Sequence, residues 1–106
     1  MTKKLETLPF ALNDANYLTR LRDILAVRSI AITMHAKKRM HQRKISMQQI
    51  INCLKQGSVD EPAHLTLYGD WQATVGYFTG GDYVKVAAAI SKDAKGDLIV
   101  IVTVII

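Results

Sequence analysis

A chain of 106 residues with 49% hydrophobic side chains is long enough for a single domain with a modest core and too apolar to be disordered. Its one cysteine cannot form an internal disulfide, so an oxidising compartment would give it no structural advantage, and no apolar run approaches the length of a transmembrane helix. We therefore expect a cytoplasmic protein without a membrane-spanning segment or a secretory signal, folded as one domain over residues 1–106.

The N-terminal quarter predicts an arm followed by one helix. Residues 1–12 contain Pro9 and are expected to form the arm. Asn13 or Asp14 can cap a helix over residues 13–28, whose apolar residues recur at helical spacing. We interpret this helix as a cover for part of the core or as part of a dimer interface, rather than as a contributor to catalysis.

The segment from Thr33 to Gly57 predicts two helices joined by a corner. The first helix begins at or just after Thr33, and the second begins after Ser46, which forms a capping box with Gln49. The second helix has a regular apolar face, and Gly57 stands where a left-handed C-cap is expected. Cys53 lies near that face without an activating base, so a buried, inert thiol is favoured over a nucleophile.

Beyond this segment the apolar residues alternate along the chain, as is typical of consecutive antiparallel strands. The predicted strands are residues 64–68, 71–78, 83–90 and 98–106, with a polar loop over residues 91–97. Both faces of the last strand are apolar, which predicts a central strand or one covered on both sides. The expected fold is α+β, with N-terminal helices packed on a four-stranded antiparallel β-meander.

Positive charge is concentrated in the predicted helical corner. Seven Lys or Arg and no Asp or Glu lie between Ile24 and Val59. At about 100° per residue, His35, Arg39 and Arg43 form one polar ridge along the first helix of the corner. A basic surface with few aromatic side chains favours the phosphate backbone of a nucleic acid over its bases as the group bound. We expect further RNA contacts from the same segment, by Lys37, Lys38, His41 and Lys44.

The pattern H-A-x-x-R-M-x-x-R-x-I-S, followed by an amphipathic helix and a glycine, occupies this corner. Its residues are His35, Ala36, Arg39, Met40, Arg43, Ile45, Ser46 and Gly57. The pattern resembles the bacterial family of unknown function numbered 4258, and the likeness extends over roughly residues 30–106. That family is grouped with the ribonuclease-toxin fold shared by barnase, EndoU, colicin nucleases and RelE-like toxins. The resemblance therefore implies a RelE- or barnase-like fold and a ribonuclease activity.

The residues of the ridge suit the cleavage of RNA. Histidine titrates near neutrality and can move a proton, and guanidinium groups can hold a phosphate and offset the charge of its transition state. Because the 2′-hydroxyl of RNA is an internal nucleophile, we expect no metal, no cofactor and a product with a 2′,3′-cyclic phosphate. Lys85 is the only Lys or Arg in a predicted strand, and Thr103 is the one polar residue of the last strand. Both would complete the site if their faces meet the ridge.

Each candidate also has a purely structural explanation. His35 can make a local hydrogen bond at a helix N-terminus, and the two arginines can form a solvated face. Lys85 and Thr103 suit a solvated edge and a strand that favours β-branched residues. His41 and His64 are placed apart from His35, so metal ligation by the three histidines is disfavoured.

The function predicted from the sequence is a metal-independent endoribonuclease toxin of a toxin–antitoxin pair. Its expected partners are RNA, a cognate antitoxin and, through the apolar last strand, a second copy of the chain. Two alternatives remain open. One is a non-catalytic RNA- or protein-binding module that uses the same ridge, and the other is an oligomeric structural protein whose apolar strand pairs with its twin.

Overall fold

The computed structural model describes residues 13–105, which form three helices and five strands. In chain order these are α1 (Asp14–Val27), β1 (Ala31–Ile32), α2 (Met34–Arg43), α3 (Met47–Gln56), β2 (Ser58–Leu65), β3 (Trp71–Thr79), β4 (Asp82–Asp93) and β5 (Gly96–Ile105). The arm predicted for residues 1–12 lies outside the described residues, as does Ile106. Within the described residues, no helix has the length and apolar character needed to cross a membrane.

The five strands form one sheet in the order β1-β5-β4-β3-β2. Strands β2, β3, β4 and β5 pair with one another antiparallel and in chain order, which confirms the α+β class and the predicted meander of four long strands. The prediction that these four make up the whole sheet is wrong. The fifth strand, β1, pairs parallel to β5 through Ala31 with Val100 and Ile32 with Ile101. Two residues are too few to show the alternation by which a strand is recognised in a sequence.

The hydrophobic core lies on one face of the sheet, beneath α1 and α3. Tyr17, Leu21 and Ile24 recur at helical spacing along α1 and are almost completely buried. Ile50 of α3 and its apolar neighbours join the same cluster. The Tyr17 hydroxyl donates a hydrogen bond to the carbonyl of Ala88 in β4. The interpretation of α1 as a cover for part of the core is thus confirmed.

The opposite face of the sheet, which we call the second face, carries Tyr83, Lys85, Ala87 and Ala89 of β4. The alternate residues of β4, among them Val84, point to the core with α1 and α3. Ala87 and Ala89 form the floor of the second face and are only 5% and 3% exposed. This floor is therefore nearly closed to solvent.

The helices begin where their capping residues predict. The side chains of Asn13 and Thr33 accept hydrogen bonds from the backbone three residues further on, at 2.8 and 3.0 Å. Ser46 and Gln49 form the predicted capping box, with both hydrogen bonds present. Local sequence therefore determines where each helix starts.

The prediction of a left-handed C-cap at Gly57 is wrong. Its φ of −76° is open to any residue. A Cβ at this position would lie 2.5 Å from the carbonyl oxygens of Cys53 and Gly76, so glycine is required by the close approach of α3 to β3. The left-handed residue of the helical corner is instead Lys44, at φ 56° and ψ 44°.

The predicted polar loop over residues 91–97 is also wrong over most of its length. β4 continues to Asp93 and β5 begins at Gly96, which leaves a two-residue turn. Gly96 permits the turn because its φ of 113° is unfavourable for residues with a Cβ. Arg28 holds the turn by donating to both carboxylate oxygens of Asp93, at 2.8 and 3.0 Å, and these hydrogen bonds lower the pKa of Asp93 to about 2.

Replacing Leu21 with alanine tests whether α1 supports the sheet. Leu21 is fully buried, so Leu21→Ala leaves a cavity and should lower the free energy of unfolding by about 2–5 kcal/mol. Asn16→Ala, on the exposed side of the same helix, should change it by less than about 0.5 kcal/mol. Urea denaturation followed by circular dichroism measures both values. Equal, small effects of the two substitutions would contradict the assignment of α1 to the core.

Candidate functional site

Helix α2 lies along the part of β5 that β1 leaves uncovered. The Thr33 backbone N–H donates to the carbonyl of Ile101 at 3.1 Å, and the Thr33 hydroxyl donates to the carbonyl of Val102 at 3.0 Å. Arg39 Nε donates to the carbonyl of Val104 at 3.3 Å. Because carbonyls on a sheet edge need partners, these contacts fix the position of α2 against the strand.

This position brings His35 to Thr103. His35 Nε2 lies 3.0 Å from Thr103 Oγ1, and the direction of the hydrogen bond depends on the histidine tautomer. Thr103 pairs directly with Ala87 and therefore belongs to the second face. His35 itself is exposed, so the imidazole is both positioned and accessible. The structure thus brings together two of the residues that the sequence singled out.

Irregular strand pairing places Thr103 at this point. Ala87 pairs with Thr103 but Ala88 pairs with Ile101, so Val102 is an extra residue in β5. Such a bulge changes the direction of neighbouring side chains and is common beside functional sites. It allows Thr103 to face the floor of the second face although Ile101 and Val104, on either side, are both buried in the core.

Lys85 lies near this pair but does not contact it. Its partner in β5 is Ile105, which makes Lys85 a diagonal neighbour of Thr103, with the Cα atoms about 7–8 Å apart. That distance is within reach of a lysine side chain. The Lys85 ammonium instead forms an ion pair with Asp60 Oδ2 at 3.2 Å.

Glu61 is a candidate that the sequence did not reveal. One continuous row of paired residues crosses the second face from β5 to β2, and its members are Thr103, Ala87, Thr74 and Glu61. The Thr74 hydroxyl is directed at Glu61 Oε1 at 3.4 Å, a long hydrogen bond. Thr103, which His35 contacts, and Glu61 stand at opposite ends of this row, three strand spacings or about 14 Å apart.

The position of Glu61 in the sheet could not be predicted, because residues 58–63 of β2 were not predicted to form a strand. β2 begins at Ser58 rather than at His64, and its pairing with β3 shifts register on both sides of Glu61. Asp60, Glu61 and Pro62 are each unfavourable in strands, so the segment lacks a strand pattern. A proline within a predicted strand does, however, indicate an edge strand or a bulge.

The two arginines of the ridge have different surroundings. Arg39 is half-buried and donates to the backbone of β5, so it has a structural role as well as a charge near the site. Arg43 is exposed one turn further along α2, and among the described residues no hydrogen bond connects it to Thr103 or Lys85. No acidic residue within 13–105 forms an ion pair with a basic side chain of α2.

The remaining predicted RNA contacts lie on another side of α2. Lys37, His41 and Lys44 line an open groove together with Met40, Ile45 and Ser46. Lys38 is exposed outside that groove. His41 is therefore separated from His35, and His64 lies on β2, as the sequence predicted for these three histidines.

Cys53 belongs to the core and not to the site. It is completely buried, and its thiol donates to the carbonyl of Val75 at 3.2 Å. Burial raises the pKa of the Cys53 thiol to about 12, which leaves it protonated and unreactive near neutrality. The prediction of a buried, inert thiol is confirmed. Among residues 13–105, no three His, Cys, Asp or Glu side chains are grouped closely enough to hold a metal ion.

Comparison with known proteins gives one match. Residues 32–106 match the model of a family described as Domain of unknown function (DUF4258). Neither the curated proteins nor the solved structures contain a significant match to the chain. The match begins at Ile32 and covers α2, α3 and the four long strands, but not α1.

The left-handed conformation of Lys44 predicts the effect of two substitutions. A residue with a Cβ in this conformation costs roughly 1–2 kcal/mol, so Lys44→Gly should raise the free energy of unfolding by about 1 kcal/mol. Lys44→Ala removes the same charge but keeps a Cβ, and it should give no such gain. Urea denaturation of the two variants separates backbone conformation from charge, and an equal gain in both would attribute the effect to charge.

Proposed function

The chain belongs to the family described as Domain of unknown function (DUF4258), and we propose that this member is an endoribonuclease that cleaves RNA by attack of the 2′-hydroxyl on the adjacent phosphate. The observation that carries the proposal is the contact of His35 with Thr103, on a sheet face that also bears Lys85 and Glu61. An accessible imidazole can move a proton, and a lysine on the same face can stabilise the charge that develops on the phosphate.

The reaction needs one group to accept a proton and another to donate one. His35 accepts the proton of the 2′-hydroxyl, and the 2′-oxygen forms a bond to phosphorus. The bond from phosphorus to the 5′-oxygen breaks, and the Lys85 ammonium gives a proton to that leaving oxygen. The products are a 2′,3′-cyclic phosphate and a free 5′-hydroxyl, so no other reactant is needed. Thr103 acts by orienting the imidazole through its hydrogen bond.

Cationic side chains around this face stabilise the negative charge that develops on the phosphate in the transition state. Lys85 is within reach of a phosphate held beside Thr103, and that phosphate competes with Asp60 for the ammonium group. Arg39 lies beside the same end of β5. Arg43 and the basic groove of Lys37, His41 and Lys44 extend the positive surface along α2 and suit the neighbouring phosphates of the RNA.

The toxin role is part of the same proposal and rests on the resemblance to ribonuclease toxins described above. A cognate antitoxin would have to cover the second face, where Leu98, Val100 and Ile105 of β5 are only half-buried. The β5 strand of a second copy cannot pair with β5 in the observed structure. One edge of β5 pairs with β4, and the other is occupied by β1 and α2. A homodimer would therefore not form through the edge of this strand.

A second candidate function is RNA binding without cleavage. It is favoured by the groove of Lys37, His41 and Lys44, which is basic and lies on a side of α2 away from Thr103. Such a module would bind RNA with an affinity that falls steeply as salt rises. The two functions share this salt dependence and differ in the need for His35.

Substitution of His35 separates the two functions. His35→Ala removes a proton-transfer group, so the cleavage rate should fall roughly 10²- to 10⁴-fold, while RNA affinity changes by about 1 kcal/mol or less. His64→Ala is the matched control, because His64 is an exposed histidine on β2 outside the proposed machinery. Cleavage is measured as the formation of 2′,3′-cyclic phosphate ends. A His35→Ala variant that cleaves at the parental rate would overturn the proposal, and a wild-type protein that binds RNA without cleaving it would favour the binding module.

A further inference from the structure

Two large aromatic side chains are exposed side by side on the second face. Phe78 of β3 and Tyr83 of β4 form a direct cross-strand pair and are 66% and 44% exposed. Their ring centroids are 6.5 Å apart and their planes are inclined by 50°. The small number of aromatic residues in the sequence had favoured phosphate contacts alone, and the pairing of the strands gathers two of them at one place.

The position of Tyr83 is fixed by its surroundings. Its ring lies across Gly76, where a Cβ would collide with the phenolic oxygen and with Cζ. The Tyr83 hydroxyl is directed at Asp60 Oδ1 at 3.4 Å. Partial burial, and then the nearby charge of Asp60, raise the pKa of Tyr83, so the ring stays neutral at physiological pH. A neutral ring held in one place is a suitable surface for stacking.

The charge beside the aromatic pair indicates what stacks on it. Lys85 lies two residues from Tyr83 on the same strand and the same face. Exposed aromatic rings beside a cation match a nucleotide, whose base stacks on a ring while its phosphate meets the positive charge. The Lys85 ammonium is paired with Asp60 Oδ2 at 3.2 Å. A bound phosphate takes the place of that carboxylate, whereas an apolar protein surface would bury the ion pair without offering it a new partner.

We infer that Phe78 and Tyr83 form a stacking subsite for a nucleobase and that the RNA bound here is single-stranded. The bases of a duplex are already stacked on one another, so their faces are not available to the two rings. The row that contains Thr103 and Ala87 is four residues further along β4, about 13 Å away. If the proposed cleavage takes place at Thr103, the stacked base belongs to a nucleotide that flanks the scissile phosphate.

Binding of a labelled, single-stranded oligoribonucleotide with 2′-O-methyl groups tests the subsite. The methyl groups block the 2′-oxygens, so affinity is measured whether or not the protein cleaves RNA. Phe78→Leu and Tyr83→Leu should each weaken binding roughly 5- to 150-fold and leave the salt dependence unchanged, because the phosphate contacts remain. Binding of a duplex of the same sequence should not change. Tyr68→Leu is the matched control, since Tyr68 is 92% exposed but lies in the turn between β2 and β3.

Gly76→Ala provides a variant that keeps both aromatic rings. The added methyl group displaces the Tyr83 ring, so single-strand affinity should fall as it does in Tyr83→Leu, while the circular dichroism spectrum shows that the variant is folded. Unchanged affinity in Phe78→Leu and Tyr83→Leu would overturn the subsite. So would an equal loss for duplex and single strand, an equal loss in Tyr68→Leu, or a wild-type protein that binds no single strand at low salt. Failure of cleavage alone would reject the nuclease and leave the subsite to be decided by these affinities.

Discussion

The hydrogen bonds from α2 to the backbone of β5 are the interaction on which the candidate site depends. β1 pairs with only two residues of β5, so the carbonyls further along that edge need other partners. Thr33 and Arg39 provide them. A buried carbonyl left without a partner costs about 1–3 kcal/mol, so helix and strand hold each other in place. The contact of His35 with Thr103 follows from this arrangement, because both residues belong to elements that are already fixed.

Irregular pairing gives the second face its chemistry. A regular strand would alternate between the core and the second face, and it would give one residue in two to each. The extra residue in β5 and the register shifts in β2 break that alternation near Thr103 and Glu61. Between them the same row holds Ala87 and Thr74, which are only 5% and 6% exposed. The exposed polar groups therefore stand at the margins of the second face, and its middle is nearly closed to solvent.

Much of this fold follows from local sequence, and much of the site does not. Capping residues such as Ser46 act within one helical turn, so the helix starts were predictable, and alternation of apolar residues revealed the long strands. β1 is too short to carry a pattern, and the acidic, proline-containing start of β2 obscured a strand. The requirement for glycine at position 57 comes from α3 packing on β3, and the pairing of Phe78 with Tyr83 comes from strand register. Contacts between distant segments cannot be read from either segment alone, which is why Glu61 and the aromatic pair were missed.

The hydrogen bond of Tyr17 connects α1 to the part of the sheet that lies beneath the candidate site. Its acceptor, the carbonyl of Ala88, belongs to the residue at which the pairing of β4 with β5 changes register beneath Thr103. Tyr17 lies outside residues 32–106, the part of the chain that matches the family. The limits of the family match are therefore not the limits of a folding unit.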